Sequence, residues 1–405
     1  MSVKILGGIT APKGFKASGV HCGIRKNKNK LDLALLVSDV PCATAAVYTQ
    51  NKVQGAPILV TKTHIADGYS QAMLCNSGNA NTCNPNGVEL AKTCCELAAQ
   101  ATGLKPNDFV IASTGVIGMP LPIEPFVTGI PLAVDMLSNK GGNFAAEAIM
   151  TTDTRRKDFA LEFKLGGVLC RMGVMTKGSG MINPNMATML TFITTDVAIS
   201  PQMLDQALKA EVKETLNQIC VDGDTSTNDM AVVMANGLAG NPYIAENNAD
   251  YATFCTILHK ICVWASREIA GDGEGATKLL QCSVHHAPSK AVALSVAKSI
   301  ISSDLFKSAM FGEDANWGRA LCAIGYAEGD FSIKNVSLTL KSEKGEVLVC
   351  QNAMYHPYSE EFASEILSER EIEILVDMHD GDYYAQAWGC DLTYEYVKIN
   401  GDYRS

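Results

Sequence analysis

The chain has 405 residues, 47% of them apolar and 19% charged, and a formal net charge of −10. That length suffices for two domains, or for one large sandwich with a smaller unit, each burying its own core. The acidic balance argues against a nucleic-acid groove and against attraction to anionic membranes, since both need a concentrated basic face, and no basic stripe with interleaved aromatics occurs.

The N-terminal stretch MSVKILGGITAPKGF has neither an apolar h-region nor an Arg/Ser-rich transit pattern, and no apolar run approaches membrane-spanning length. No export, organelle address or membrane partner is expected. Apart from the neighbours Cys94-Cys95 in a helical pattern, the 14 cysteines stand singly in apolar runs such as Leu169-Cys170, Ile219-Cys220, Phe254-Cys255 and Leu321-Cys322, and read as small buried hydrophobes. No C-x-x-C pair occurs, so neither a zinc site nor a redox dithiol is indicated, and a reducing cytoplasmic compartment fits. The seven histidines form no metal-ligand spacing, His285-His286 reads as a surface pair, and no metal is expected.

In chain order, the apolar runs Leu33 to Val37, Ala43 to Thr49 and Ile58 to Val60, broken by Pro, Gly and Asn, predict strands. Asn86 to Gly103 predicts a helix with Leu90, Cys94, Leu97 and Ala98 on one face and Gly103 as its stop. Phe109 to Ala112 predicts a buried strand ending at Ser113-Thr114-Gly115. The alternating runs Phe159 to Leu165 and Val168 to Val174, joined by Gly166-Gly167, predict a hairpin. TMLTFITTD predicts a strand, Ser200-Pro201 opens a helix carrying Leu204, Leu208, Val212 and Leu216, and Met230 to Ala235 predicts another strand. Tyr251 to Ala270 has helical spacing and stops at GDGEGA. A further helix near Ala291 to Ile301 leads into strands with hairpin signals at LTLKSEKGEVLV and EIEILVDMHDGDYYAQAW. Hairpins mixed with helices favour an α+β fold over a doubly wound parallel sheet. The expected form is a layered αββα-type sandwich with a smaller C-terminal α/β domain at about 286–405.

The segment Lys177 to Leu190, KGSGMINPNMATML, places Thr188 directly after Ala187, where a Gly/Asn/Pro loop becomes a strand. A threonine hydroxyl is a poor nucleophile until a base takes its proton, and a cut before it would make its own α-amine that base. Such an amine titrates near ~7.7–8.0, close enough to neutrality to accept and return a proton. Gly178, Gly180 and Pro184 give the loop the freedom and restraint to hold a strained peptide at Ala187–Thr188, although the same string also reads as a strand in which threonine is an ordinary β-branched filler. Thr114 and Gly115 can offer a hydroxyl and a backbone N–H to a developing oxyanion, or form a plain strand-to-turn transition. GVMTKGSG lacks the spacing of a phosphate loop, and no G-x-S-x-G elbow occurs. The acidic turns around Asp272 and Glu274 and across Asp222 to Asp229 read as solvated loops, cation-binding corners or scaffolds for a site, and neither has the register of an EF-hand.

Across its length the chain resembles the arginine-biosynthesis glutamate N-acetyltransferases, also called ornithine acetyltransferases. The resemblance rests on NSGNAN (Asn76 to Asn81), STGVIG (Ser113 to Gly118), AIMTTDT (Ala148 to Thr154), KGSGMI with PNMATML, DGDTSTND, GDGEGATK, GEDANWGR (Gly312 to Arg319) and INGDYRS, in that order. It implies self-cleavage between Ala187 and Thr188 into an α-chain of 1–187 and a β-chain of 188–405, which stay together as a heterotetramer of two α and two β chains. It implies Thr188 as the acetyl-accepting nucleophile and Thr114 with Gly115 as the oxyanion hole. Contacts to N-acetylornithine and glutamate would fall on Thr151, Lys177, Thr188, Glu274, Asn400 and Ser405. The last residue is often Thr in the family and Gly401 is commonly Ala, departures that touch only fine positioning. No cofactor is implied, and acetyl-CoA as an additional acetyl donor stays open. The competing readings are a self-processing amidase or aminopeptidase that gives the acyl group to water, and a non-catalytic amino-acid-binding regulator that stays one chain.

Overall fold

The structure is a computed structural model that describes residues 2–183 and 189–402. The chain divides into two compact units, the first running to Gly178 and later including Thr225–Ala265, the second including Lys213–Asp224 and the chain from Ser266 onward.

The first unit is built on nine strands: β1 (Ser2–Ile5), β2 (Phe15–Val20), β3 (Leu33–Tyr48), β4 (Tyr69–Asn76), β5 (Phe109–Ser113), β6 (Lys157–Leu165), β7 (Val168–Lys177), β8 (Leu190–Thr195) and β9 (Met230–Ala235). Their order is β1-β6-β7-β8-β9-β3-β4-β5, with β2 beside β3. The pairs β8–β9 and β4–β5 are parallel, and the rest are antiparallel. Helices α1 (Ala56–His64), α2 (Gly87–Thr102), α3 (Glu124–Asp135) and α4 (Gly142–Ala148) belong to this unit, as does most of α5 (Pro201–Glu214) and α6 (Ala249–Ala270).

Strand β3 explains how one sheet makes two layers. Its first half pairs with β2 and β4 and its second with β9, and the ladder to β4 shifts register between Val37 and Cys42, around Pro41. Proline cannot donate to a ladder and belongs at such irregularities, where the strand bends. Alternate residues then face opposite sides. Leu33, Leu35, Leu74 and Ile111 pack with Cys94, Ala98, Phe126 and Ile130 of α2 and α3. Ala34, Leu36, Met73, Cys75 and Val110 pack instead with Phe192, Met230, Val232 and Met234 from the other half of the same sheet. The expected α+β sandwich is present, made by one continuous sheet.

The second unit holds a seven-stranded mixed sheet. Its strands are the short pair Ile219–Cys220, β10 (Leu279–Ala287), β11 (Ser337–Ser342), β12 (Gly345–Gln351), β13 (Met354–Tyr355), β14 (Glu371–Asp377) and β15 (Tyr383–Cys390). The order is β13-β12-β11-β14-β10-β15, closed by Ile219–Cys220. Val292, Val296 and Ile300 of α7 (Lys290–Ser302) pack on Leu280, Cys282, Val284, Ala385 and Ala387. Because β10 lies near the middle of this sheet, the unit begins earlier than residue 286; a boundary there would cut a central strand.

Three sequence expectations need correction. Ile58 to Val60 lies in α1, not a strand: Gly55 precedes the helix and Pro57 occupies its first turn, where a missing N–H costs nothing. The runs Leu33 to Val37 and Ala43 to Thr49 are two halves of one strand. EIEILVDMHDGDYYAQAW is not a hairpin, because β10 lies between β14 and β15, parallel to one and antiparallel to the other. A turn-rich segment shows that the chain reverses, and residues 378–382 are long enough to cross two strand spacings of about 4.8 Å each. The β6–β7 hairpin, the β11–β12 hairpin and α2 fall as expected, the C-cap Gly103 of α2 being left-handed at φ 78°. Leu216 lies beyond the end of α5. Among the described residues no helix is long and apolar enough to cross a membrane.

Candidate active site

In the first unit, strand ends bring separate sequence motifs together. Because β4 and β5 run parallel, Asn76 and Ser113 finish side by side, and the Ser113 hydroxyl bonds the Asn76 side chain at 2.6 Å. The NSGNAN loop that follows β4 then pairs with the STGVIG turn that follows β5, through bridges from Asn79 to Thr114 and to Val116. The Thr114 N–H donates to Asn76 O at 3.0 Å. Gly115 has φ 133°, and a Cβ there would lie 2.3 Å from the Gly78 carbonyl carbon, so only glycine fits.

The DGDTSTND segment closes this corner from the β9 side. Asn228 donates through Nδ2 to Ala80 O at 2.6 Å and to Ser113 O at 3.0 Å, while its Oδ1 accepts from Thr82 and Thr227, each at 2.6 Å. The Thr49 N–H donates to Asp229 O, and the Met230 N–H to Met189 O. Parallel strands β8 and β9 therefore start together, at the end of the sheet where β7 finishes on Lys177 opposite Leu190. Asp229 is buried and its Oδ2 has no hydrogen-bond partner; burial raises its carboxyl well above the usual carboxylate range, against the opposing pull of Ser226 and the Lys177 charge.

The Asp153 carboxylate anchors the backbone of one expected substrate contact, Thr151, and of Gly178, the residue after another, Lys177. Its Oδ2 accepts from the Thr151 N–H at 2.9 Å, its Oδ1 from the Gly178 N–H at 2.8 Å and from Lys157 Nζ at 2.6 Å. Both ion-pair side chains are fully buried. Burial alone would raise this carboxyl, but the charges of Lys157 and Lys177 and its hydrogen bonds hold it well below the ordinary range. Sequence reading overlooked Asp153; the available signal was a lone acid between threonines, four residues before a lysine that enters a strand.

The second unit places the other candidates. Glu274 is buried, its N–H donates to Ser179 O at 3.0 Å, and its Oε2 accepts from Asn400 Nδ2 at 2.8 Å. Gly180 makes room for this carboxylate, since a Cβ there would fall 2.3 Å from Glu274 Cδ. The Ser179 hydroxyl donates to Asp272 O at 2.7 Å, which fastens Ser179 to the GDGEG turn within the second unit. Asp222 accepts from the N–H groups of Met181 and Ile182 at 2.6 and 2.8 Å, and Asn183 donates to Gly223 O at 3.0 Å. The acidic Asp222 to Asp224 turn thus receives backbone donors from the loop that leads to residue 184.

Thr114, Gly115, Thr151 and Lys177 are gathered by the first unit, and Glu274 and Asn400 by the second. Ala187, Thr188 and Ser405 lie outside the described residues. Among these groups the first unit holds a hydroxyl on a glycine turn and the buried Lys177, and the second unit holds the buried Glu274. The fold also assembles a cluster that sequence spacing gave no hint of: His286, Asp377 and His379, with ligand atoms all within 4.8 Å of one another.

The model of the ArgJ family matches residues 16–405. An arginine biosynthesis bifunctional protein ArgJ from Caldanaerobacter subterraneus subsp. tengcongensis is 47% identical over 98% of this chain and 99% of its own length. One from Bacillus subtilis is 44% identical over 100% and 98%. Among solved structures, a chain of arginine biosynthesis bifunctional protein argJ from Bacillus halodurans is 44% identical with a TM-score of 0.50, covering 53% of this chain and 99% of its own.

Proposed function

The chain belongs to the ArgJ family, and from that membership we propose that it moves the acetyl group of N-acetylornithine to glutamate through an ester on Thr188. The observation that carries this reading lies in the first unit: Asn228, just ahead of β9, bonds Ser113 O beside the Thr114-Gly115 turn, and β9 starts next to β8 where Lys177 faces Leu190, two residues past Thr188. Thr188 Oγ attacks the acetyl carbonyl while the α-amine freed by cleavage takes its proton. The Thr114 hydroxyl and Gly115 N–H receive the oxyanion. The carbonyl re-forms, the proton passes to the departing nitrogen, and ornithine leaves. Glutamate then gives its amine proton to the same α-amine and collects the acetyl group, which restores the hydroxyl.

N-acetylornithine carries an α-carboxylate and a δ-ammonium. Lys177 has the sign for the first and Glu274 for the second. Thr151, Asn400 and Ser405 complete the proposed contacts. Cleavage at Ala187–Thr188 is supported by the solved relative, whose chain is covered to 99% yet spans only 53% of this one, the size of a piece cut near the middle. The name bifunctional, borne by relatives at 47% identity, fits a second activity, and acetyl-CoA as a second acetyl donor is part of the proposal. The mature form is proposed as a cytoplasmic assembly of two α and two β chains.

Mass spectrometry of the purified protein tests the first step and should find two polypeptides that meet at residues 187 and 188. Initial rates with N-acetylornithine and glutamate should give parallel double-reciprocal lines, with acetylglutamate as the product. An unbroken chain turning over at full speed, or acetate as the main product, overturns the scheme.

A further inference from the structure

The second unit carries a cluster of ligating side chains that the acetyl-transfer scheme does not use. On the β15 side, β10 pairs regularly up to Val284 opposite Ala385 and resumes with Ala287 opposite Tyr383, so His285 and His286 oppose the single residue Tyr384. This bulge turns His286 toward Asp377, the last residue of β14, whose ladder partner is His285. His286 Nδ1 lies 2.9 Å from both Asp377 carboxylate oxygens, and His379 Nδ1 lies 3.2 Å from Oδ1. The two imidazole rings are nearly parallel, at 11°, with centroids 6.3 Å apart.

The backbone holds this arrangement rigidly. Met378 N–H donates to His285 O at 3.0 Å, Asp380 N–H to His286 O at 2.8 Å, and His379 N–H to Asp377 Oδ1 at 3.0 Å. Both histidines stand in the left-handed region, His286 at φ 51° and His379 at φ 50°. That conformation is uncommon for a residue with a Cβ, and histidine is one of the few that adopt it. Two left-handed histidines from separate strand ends thus converge on one carboxylate.

We propose that His286, Asp377 and His379 form a binding site for one divalent transition-metal ion of the Zn2+, Co2+ or Ni2+ class. Two imidazole nitrogens and a carboxylate are the borderline donor set of those ions, whereas Mg2+ and Ca2+ take oxygen shells. Metal bonds of about 2.0–2.1 Å in a tetrahedron put neighbouring ligand atoms about 3.3–3.4 Å apart. The 2.9 and 3.2 Å nitrogen–oxygen separations lie a few tenths short of that edge, and the ligand nitrogens of the two histidines, within 4.8 Å of each other, close on one ion by side-chain rotation. The exposed position and three protein ligands leave the fourth vertex to water, which makes the site open and exchangeable.

Cobalt chloride titrated into the full-length protein tests the site. One Co2+ per chain should give visible d–d bands of a nitrogen/oxygen-ligated ion, and Zn2+ should displace it. His286→Ala, His379→Ala and Asp377→Asn should each weaken uptake at least tenfold without changing the far-UV circular dichroism or the rate of acetyl transfer. Uptake that survives in the His286→Ala/His379→Ala double variant overturns the proposal. So does a near-ultraviolet thiolate band, which would place the ion on the exposed Cys83 or Cys322, and so does the absence of binding at millimolar Co2+.

Discussion

Lys157 Nζ meets Asp153 Oδ1 at 2.6 Å, with neither side chain exposed to solvent, and the same carboxylate holds the backbone N–H groups of Thr151 and Gly178. Removing one partner of such a pair strands the other charge in the core, at about 3–5 kcal/mol. Asp153→Asn should lower unfolding stability by that order in urea titrations. It should also raise the KM for acetylornithine, because Thr151 and Lys177 flank the same anchor.

The two buried carboxylates of the first unit give opposite pH signatures. Asp153 has a depressed pKa, so its contribution is complete above the unfolded value of about 3.9 and fades as pH falls toward its lower folded value. Asp229 has a raised pKa, so the fold binds its proton more tightly than the unfolded chain does. That group costs stability progressively as pH climbs from about 4 toward its folded value. Unfolding measured from pH 3 to 8 should therefore show a shallower acid limb in Asp153→Asn and a flatter decline above pH 4 in Asp229→Asn. A wild-type slope in Asp229→Asn would mean that its carboxyl ionises normally.

Gly115→Ala brings a methyl group within 2.3 Å of the Gly78 backbone and must displace the turn. We expect kcat to fall about 10²–10³-fold, the usual cost of one lost oxyanion donor, and Thr114→Ala to fall in the same range. Stopped-assay initial rates on both variants check this, and an unchanged kcat in either would remove that residue from the oxyanion role.

Glu274→Gln keeps the shape beside Gly180 and the Asn400 contact but removes the charge. The KM for acetylornithine should rise about tenfold, the scale of a single charge-assisted hydrogen bond. An unchanged KM would show that this carboxylate does not read the substrate amine.

Asp222→Ala leaves the Met181 and Ile182 N–H groups without their acceptor, just ahead of the proposed cut. Processing should slow at least tenfold when followed by gel electrophoresis of freshly synthesised chain. A normal rate would limit Asp222 to holding the mature loop.

Periodicity and short motifs carried much of this molecule. Alternation in Phe159 to Leu165 and Val168 to Val174 located the β6–β7 hairpin, a glycine stop located the end of α2, and ordered strings such as STGVIG and DGDTSTND pointed to acyl transfer through the family they resemble. These signals are local, and local backbone preference is written in consecutive residues. Ile58 to Val60 misled because a short apolar run with two β-branched residues looks alike in a strand and in a helix turn. The placement of β10 between β14 and β15, the anchoring of Thr151 and Gly178 by Asp153, and the meeting of His286 with Asp377 and His379 were decided only by the tertiary structure. Each joins residues far apart in the chain or set by strand order, and strand order follows from how whole faces bury together, which no window of sequence contains.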